Sequence, residues 1–170
     1  MSGTASSGVV LWLTGLPSSG KSTLARRAAD ALRARGIPTL VLDGDDVRET
    51  LRPRLGYDDD ARDAFYETLA RLAALAASQG LVVLVPATAH RRAFRDRARA
   101  LAPRFVEVHV DVPPEIAEAR DDKGFYARAR ASRSSTMPGV GVSYEPPLAP
   151  ELVVHGSDEV DALLAAIDRL

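Results

Sequence analysis

The chain has 170 residues, 46% of them apolar and 26% charged, with a net charge of −1 and no cysteine. That length supports one domain with a sizeable core and needs neither disulfides nor a structural metal. The near-neutral balance gives no field to recruit nucleic acid or an anionic membrane, and the missing thiols exclude disulfides, thiolate zinc sites and cysteine nucleophiles. The opening MSGTASSG lacks a basic start and an apolar stretch. Residues 1–7 therefore read as a flexible tail rather than a signal peptide, and no apolar run reaches the roughly 18 residues of a membrane span. The expectation is a cytoplasmic protein folding as one unit over 1–170.

Residues 8–14, GVVLWLT, read as a buried strand running without a gap into GLPSSGKST and an Ala/Leu/Arg helix over about 21–35. GIP breaks that helix, and TLVLDGDD (39–46) reads as a second short strand ending in acids. DDARDAFYETLARLAALAASQ (59–79) predicts a long helix closed by Gly80. LVVLVPA (81–87) has the continuous apolar character of a central parallel strand. HRRAFRDRARALA follows as a basic surface helix, RFVEVHVDV (104–112) as a fourth strand, and PPEIAEAR as a short helix opened by proline. ELVVHG (151–156) reads as a fifth strand, and SDEVDALLAAIDRL as a closing helix with Ser157 as its N-cap. Strands spaced by helices predict an α/β fold with a parallel sheet covered on both faces. The alternation fails over about 121–150. An irregular stretch of that length within a compact domain reads as a lid, an excursion without a role being the alternative.

GLPSSGKST fits G-x-x-x-x-G-K-[ST], with Gly15, Gly20, Lys21 and Ser22 at the defining positions and Ser18 and Ser19 inside the loop. Such a loop lets backbone N–H groups approach the phosphates of ATP, and the helix start adds its positive dipole end. Lys21 is placed to reach the β- and γ-phosphates, Ser22 to ligate Mg²⁺ through its hydroxyl, and Thr23 to support it. A Gly/Ser turn matching by accident is the alternative; the strand before and helix after argue against it. Lys21 and Lys123 are the only lysines among 22 basic residues. Gene composition explains an arginine bias, yet a lysine kept under it marks a place for a compact ammonium. LDGDD brings Asp43, Asp45 and Asp46 to the carboxyl edge of the sheet, where ligands of open α/β folds bind. Phosphoryl transfer to an alcohol needs a carboxylate near its proton, and Arg48 on the next turn is placed to hold an anionic acceptor. A solvated acidic turn with a helix cap is the alternative there.

GLPSSGKSTLA, LDGDDVRETL, LGYDDDAR and EARDDKGFYARARA together resemble the adenylylsulfate kinase family, over most of residues 8–155. The resemblance implies a P-loop kinase three-layer sandwich of about five parallel strands and a lid. It also implies MgATP as donor and the ribose 3′-hydroxyl of adenylyl sulfate as acceptor. On that pattern Asp45 is the base and Asp43 helps organise Mg²⁺. Arg48 and Arg62 hold the acceptor's anionic groups, Lys123 approaches the phosphates, Arg120 lies beside the ATP adenine, and the protein is a homodimer.

Departures concentrate on the acceptor side. DGDN becomes DGDD, placing Asp46 at an amide. The EN-I/V-RR segment becomes DAFYET, with Phe65 at the asparagine that contacts the acceptor and Glu67 and Thr68 at two arginines. SFISPYR becomes PATAHRR, so Ala89 stands at a serine that some members phosphorylate. IKGFTGIDDPYE becomes SSTMPGVGVSYE, with Met137 at an aromatic that stacks on the acceptor's adenine and Ser135 at a lysine; Tyr144 and Glu145 persist. Unmatched hydrogen-bonding groups of this kind cost several kcal/mol of discrimination. The sequence therefore predicts an ATP-dependent kinase of a small-molecule hydroxyl acceptor, anionic but other than adenylyl sulfate. Arg91, Arg92, Arg128, Arg130 and Arg133 are further candidates for anion contact or a solvated basic face. A genuine adenylylsulfate kinase and a non-catalytic ATP-binding regulatory module are the alternatives. His90 falls within reach of the acceptor pocket, His109 is expected to pack against a helix, and His155 to neighbour the adenine.

Overall fold

The computed structural model describes residues 8–170; the tail expected over 1–7 lies outside the described residues. Five parallel strands form one sheet in the order β2-β3-β1-β4-β5. They are β1 (Val9–Thr14), β2 (Thr39–Val41), β3 (Val82–Pro86), β4 (Phe105–Val110) and β5 (Leu152–Val154). The helices are α1 (Lys21–Ala34), α2 (Gly44–Thr50), α3 (Asp59–Ser78), α4 (Arg92–Leu101), α5 (Pro114–Ala119), α6 (Phe125–Ala131) and α7 (Val160–Asp168).

The pleat of β1 sorts the core into two layers. Val9, Leu11 and Leu13 pack with Leu24, Ala28 and Leu32 of α1 and Leu163 of α7, while Val10 and Trp12 face Phe65, Leu69 and Ala73 of α3 and Phe94 and Ala98 of α4. Because alternate side chains of a strand point to opposite faces, both must be apolar in a strand covered twice, and all six residues of β1 are buried. The Trp12 indole N–H is satisfied by the Ala87 carbonyl at 3.2 Å. This is the sandwich expected from the sequence, with helices on both faces. No helix among the described residues is long and apolar enough to cross a membrane.

Three local features differ from the sequence reading. The second strand ends at Val41, and the acids that follow open α2, where Asp43 caps the helix by accepting from the Asp45 N–H at 3.1 Å. The stretch over 121–150 is not irregular throughout, since it carries α6 and a compact turn in which the Met137 carbonyl accepts from the N–H groups of Val140, Gly141 and Val142. The last helix starts at Val160, not after Ser157. Arg27 donates to the Ser157 carbonyl and the Asp158 carboxylate, tying that stretch to α1 ahead of the helix.

Candidate active site

The phosphate loop joins the centre of the sheet to α1. Gly15 has φ 155°, and a Cβ there would come within 2.5 Å of the Val110 carbonyl oxygen, so the loop sits tightly against the end of β4. Gly20 has φ 94° and starts α1 without any side-chain cap, leaving the first N–H groups of that helix for a ligand. Ser18 also takes a positive φ, 61°, and Ser19 is fully buried. Ser22 and Thr23 follow in the first turn of α1.

The Lys21 side chain is buried and folded onto its own loop. Its Nζ donates to the Gly15 and Leu16 carbonyls at 3.1 and 2.7 Å and lies 3.4 Å from Ser19 Oγ. Burial lowers its pKa to about 8, against the pull of Asp45 and Asp43. An ammonium bonded only to neutral oxygens in a desolvated loop is poised for an anion. The Ser22 hydroxyl and the buried Asp43 carboxylate are hard oxygen donors of the kind that suit Mg²⁺. Arg26 Nη2 stands 3.5 Å from Asp43 Oδ2 and 3.6 Å from Asp46 Oδ2. Nothing in the sequence reading picked out Arg26; its place one turn after Ser22 was the available signal.

Asp45 is an exposed residue in the first turn of α2, partly desolvated by its neighbours. Desolvation first, and the Asp43 carboxylate second, push its carboxyl above the usual range, while Lys123 and Lys21 pull it down. The two lysines of the chain therefore act on one carboxylate, although they are a hundred residues apart in sequence. Lys123 precedes α6, with its Nζ 5.7 Å from the Phe125 ring centroid. Arg120 is the exposed C-cap of α5.

On the acceptor side, Arg48 lies between two rings, its guanidinium carbon 3.9 Å from the Phe65 centroid and 4.6 Å from that of Tyr57. Its Nη1 donates to the Gly56 carbonyl at 2.8 Å. Phe65 is 2% exposed and meets Tyr66 edge-on at 5.2 Å, so it is a wall supporting Arg48. Arg62 is also buried; its Nη2 donates to the Thr136 carbonyl, and burial, with Arg48 and Arg91 nearby, lowers its pKa. Met137, next along, packs against the core layer that holds α1, whereas Phe65 belongs to the layer of α3 and α4. The structure thus joins Arg48, Phe65 and Arg62 and sets Met137 apart from Phe65.

The retained Tyr144–Glu145 pair serves as an anchor. Tyr144 Oη meets Thr14 Oγ1 at 3.1 Å, and the Glu145 carboxylate accepts from the Arg92 N–H at 2.8 Å, capping α4. Arg95, 1% exposed, binds Glu107 at 2.6 Å, the Glu145 carbonyl at 2.7 Å and the Ala89 carbonyl. Sequence reasoning missed Arg95. Its register with Phe94 and Ala98 on the inner face of α4 was the clue. His109 stacks on Tyr144 at 6.3 Å instead of on a helix. Beside the phosphate loop, Leu16, Asp111, Tyr144, His109 and His155 help line a cavity of about 320 Å³.

A family model described as adenylylsulphate kinase matches residues 7–155. Among curated proteins, the adenylyl-sulfate kinase of Shewanella halifaxensis is 44% identical over 163 residues, covering 92% of this chain and 80% of the relative. That of Chloroflexus aurantiacus is 40% identical, covering 98% and 92%. Among solved structures, the Mycobacterium tuberculosis APS kinase CysC in complex with AMPPNP and APS aligns with a TM-score of 0.89 at 34% identity, covering 95% of this chain and 98% of that one.

Proposed function

The chain belongs to the adenylylsulphate kinase family, and from that premise we propose that it phosphorylates the ribose 3′-hydroxyl of adenylyl sulfate. Family and fold make it an ATP-dependent phosphotransferase. The observation that carries the reading is the convergence at Asp45 of the phosphate-loop lysine, Lys21, and the lid-segment lysine, Lys123. A module that only binds nucleotide has no use for a raised carboxyl in that place. The expectation of a different acceptor is set aside, because relatives 40–44% identical across nearly the whole chain are adenylyl-sulfate kinases.

When bound, MgATP supplies the phosphoryl group and, through its metal, neutralises part of the charge that develops on it. Gly15, Ser18, Ser19 and Gly20 would shape the backbone around the phosphates, and the Lys21 ammonium, now on the loop carbonyls, would supply their positive charge. Ser22, with Thr23 in support, and Asp43 would hold the metal. Asp45 accepts the proton of the acceptor hydroxyl, a role helped by a carboxyl pKa above the ordinary range. Lys123 offsets negative charge from the lid side, and Arg120 flanks the adenine. Arg48, stiffened by Phe65 and Tyr57, and Arg62, tied to the 136–137 turn, hold the acceptor's phosphosulfate. Met137 closes the turn above.

The test is ADP release by the purified chain with MgATP and a panel of adenylyl sulfate, other nucleotide derivatives and phosphorylated alcohols. Adenylyl sulfate is expected to drive turnover, with a product heavier by one phosphoryl group in the mass spectrum. Turnover confined to another acceptor would return the reading that Phe65 and Met137 favour. Tight ATP binding with no acceptor-dependent turnover would leave a regulatory module.

A further inference from the structure

Three residues of the phosphate loop take a positive φ, and one of them is not glycine. Gly15 and Gly20 do so at no steric cost, but Ser18, at φ 61°, holds a left-handed conformation that its Cβ disfavours. The Ser19 N–H donates to the Leu16 carbonyl at 3.3 Å, closing a turn over Leu16, Pro17, Ser18 and Ser19. Proline in second place and a positive φ in third are the pattern of a type II turn, whose third position normally calls for glycine. The same four residues would relax to a type I turn by rotating the Pro17–Ser18 peptide about half a circle, bringing Ser18 to a negative φ.

What holds the peptide against that rotation comes from α6, 109 residues downstream. The Tyr126 hydroxyl donates to the Pro17 carbonyl at 2.9 Å. Its ring is buried in the core layer that holds α1, and its N–H donates to Asp121 Oδ2 at 2.7 Å, so the phenol is fixed from both ends. Burial first, then Asp121 and Glu118, raise the pKa of the hydroxyl, which therefore stays a donor. The neighbouring carbonyls go elsewhere: those of Gly15 and Leu16 accept from the Lys21 ammonium. In a trans peptide the C=O and N–H point in opposite directions, so the Ser18 N–H is turned away from α6. Backbone N–H groups presented by a turn of this kind make an anion-binding concavity.

We infer that Tyr126 is a positioning residue for the phosphate loop: by holding the Pro17 carbonyl, it keeps the Ser18 N–H turned to the phosphates of the nucleotide. It touches neither substrate. The inference rests on the reading of the loop as an ATP site, and it makes the 121–150 segment part of that site.

Tyr126→Phe keeps the ring that fills the core and removes only the hydroxyl. In calorimetry with ADP and Mg²⁺ at neutral pH, Y126F is expected to bind about fivefold more weakly than wild type. With adenylyl sulfate and MgATP, the KM for ATP is expected to rise by about the same factor and the acceptor KM to stay within about twofold. The deciding comparison is made in a Ser18→Gly background, where glycine takes the positive φ unaided. There S18G/Y126F is expected to bind ADP within about twofold of S18G. A hydroxyl that only stabilises the fold would cost the same in both backgrounds, so an undiminished loss in S18G/Y126F would overturn the inference. So would a matching rise in the acceptor KM. A wild type that does not bind ADP would sink the ATP reading itself; a wild type that binds it, with Y126F equal to wild type, would sink only Tyr126.

Discussion

Nucleotide affinity should weaken as pH rises through the titration of Lys21. In the free protein its pKa is about 8, lowered mainly by burial. A bound polyphosphate favours the ammonium and raises that value, so binding takes up a proton wherever the pH lies between the free and bound pKa. Affinity is then flat below about pH 7 and falls by up to tenfold per unit above about pH 8. At about pH 9.5 only about one molecule in thirty keeps the charge, so ADP should bind about thirty-fold more weakly, a loss of about 2 kcal/mol. The phosphates of ADP are already ionised across this window, which leaves the lysine as the titrating partner. Calorimetry in buffers of different ionisation enthalpy measures both quantities: affinity against pH, and proton uptake rising towards one per ADP. Lys21→Met should bind weakly at every pH with no such slope. A wild-type affinity constant up to about pH 9.5 would refute the claim that the buried ammonium is what the phosphates meet.

Asp45→Ala should hold ATP affinity within a few-fold while acceptor-dependent turnover collapses by about a thousand-fold or more; steady-state kinetics beside nucleotide titration checks it, and near-normal turnover would remove Asp45 as the base. Arg95→Met should destabilise the fold by about 3 kcal/mol, because Glu107 keeps only Arg99, 3.6 Å away, and two carbonyls lose their donor. Urea unfolding measures this, with R95M/E107L recovering part of the loss; a change below about 1 kcal/mol would show that the network contributes little. Phe65→Leu should remove the ring beneath Arg48 and raise the acceptor KM about fivefold, from about 1 kcal/mol of cation–π energy, with the KM for ATP untouched.

The scaffold was readable because its signals are local. β1 and β3 are unbroken apolar runs, the phosphate loop is a fixed spacing, and α3 keeps its helical pattern over twenty residues with Gly80 just beyond its end. α2 and α6 escaped because each has only seven residues, too few to show a periodic face. Ser157 was a reasonable cap by composition, but its tie to Arg27 is tertiary and has no local trace. Around the cleft, the sequence supplied Lys21, Asp43 and Asp45, and arginine bias singled out Lys123. It read Phe65 as a lost hydrogen bond, whereas the fold makes it the platform for Arg48. Arg95 and His90 owe their settings to partners about fifty residues away, beyond any pattern within a helix.

The cap on α4 has a consequence for the order of assembly. Its Arg92 N–H is satisfied by a carboxylate 53 residues downstream, with β4, α5 and α6 in between. During synthesis that helix emerges before the carboxylate that caps it, so its leading turn lacks this partner until Glu145 has left the ribosome. A chain cut short of residue 145 is therefore expected to show faster amide exchange at the leading turn of α4 than the full chain does.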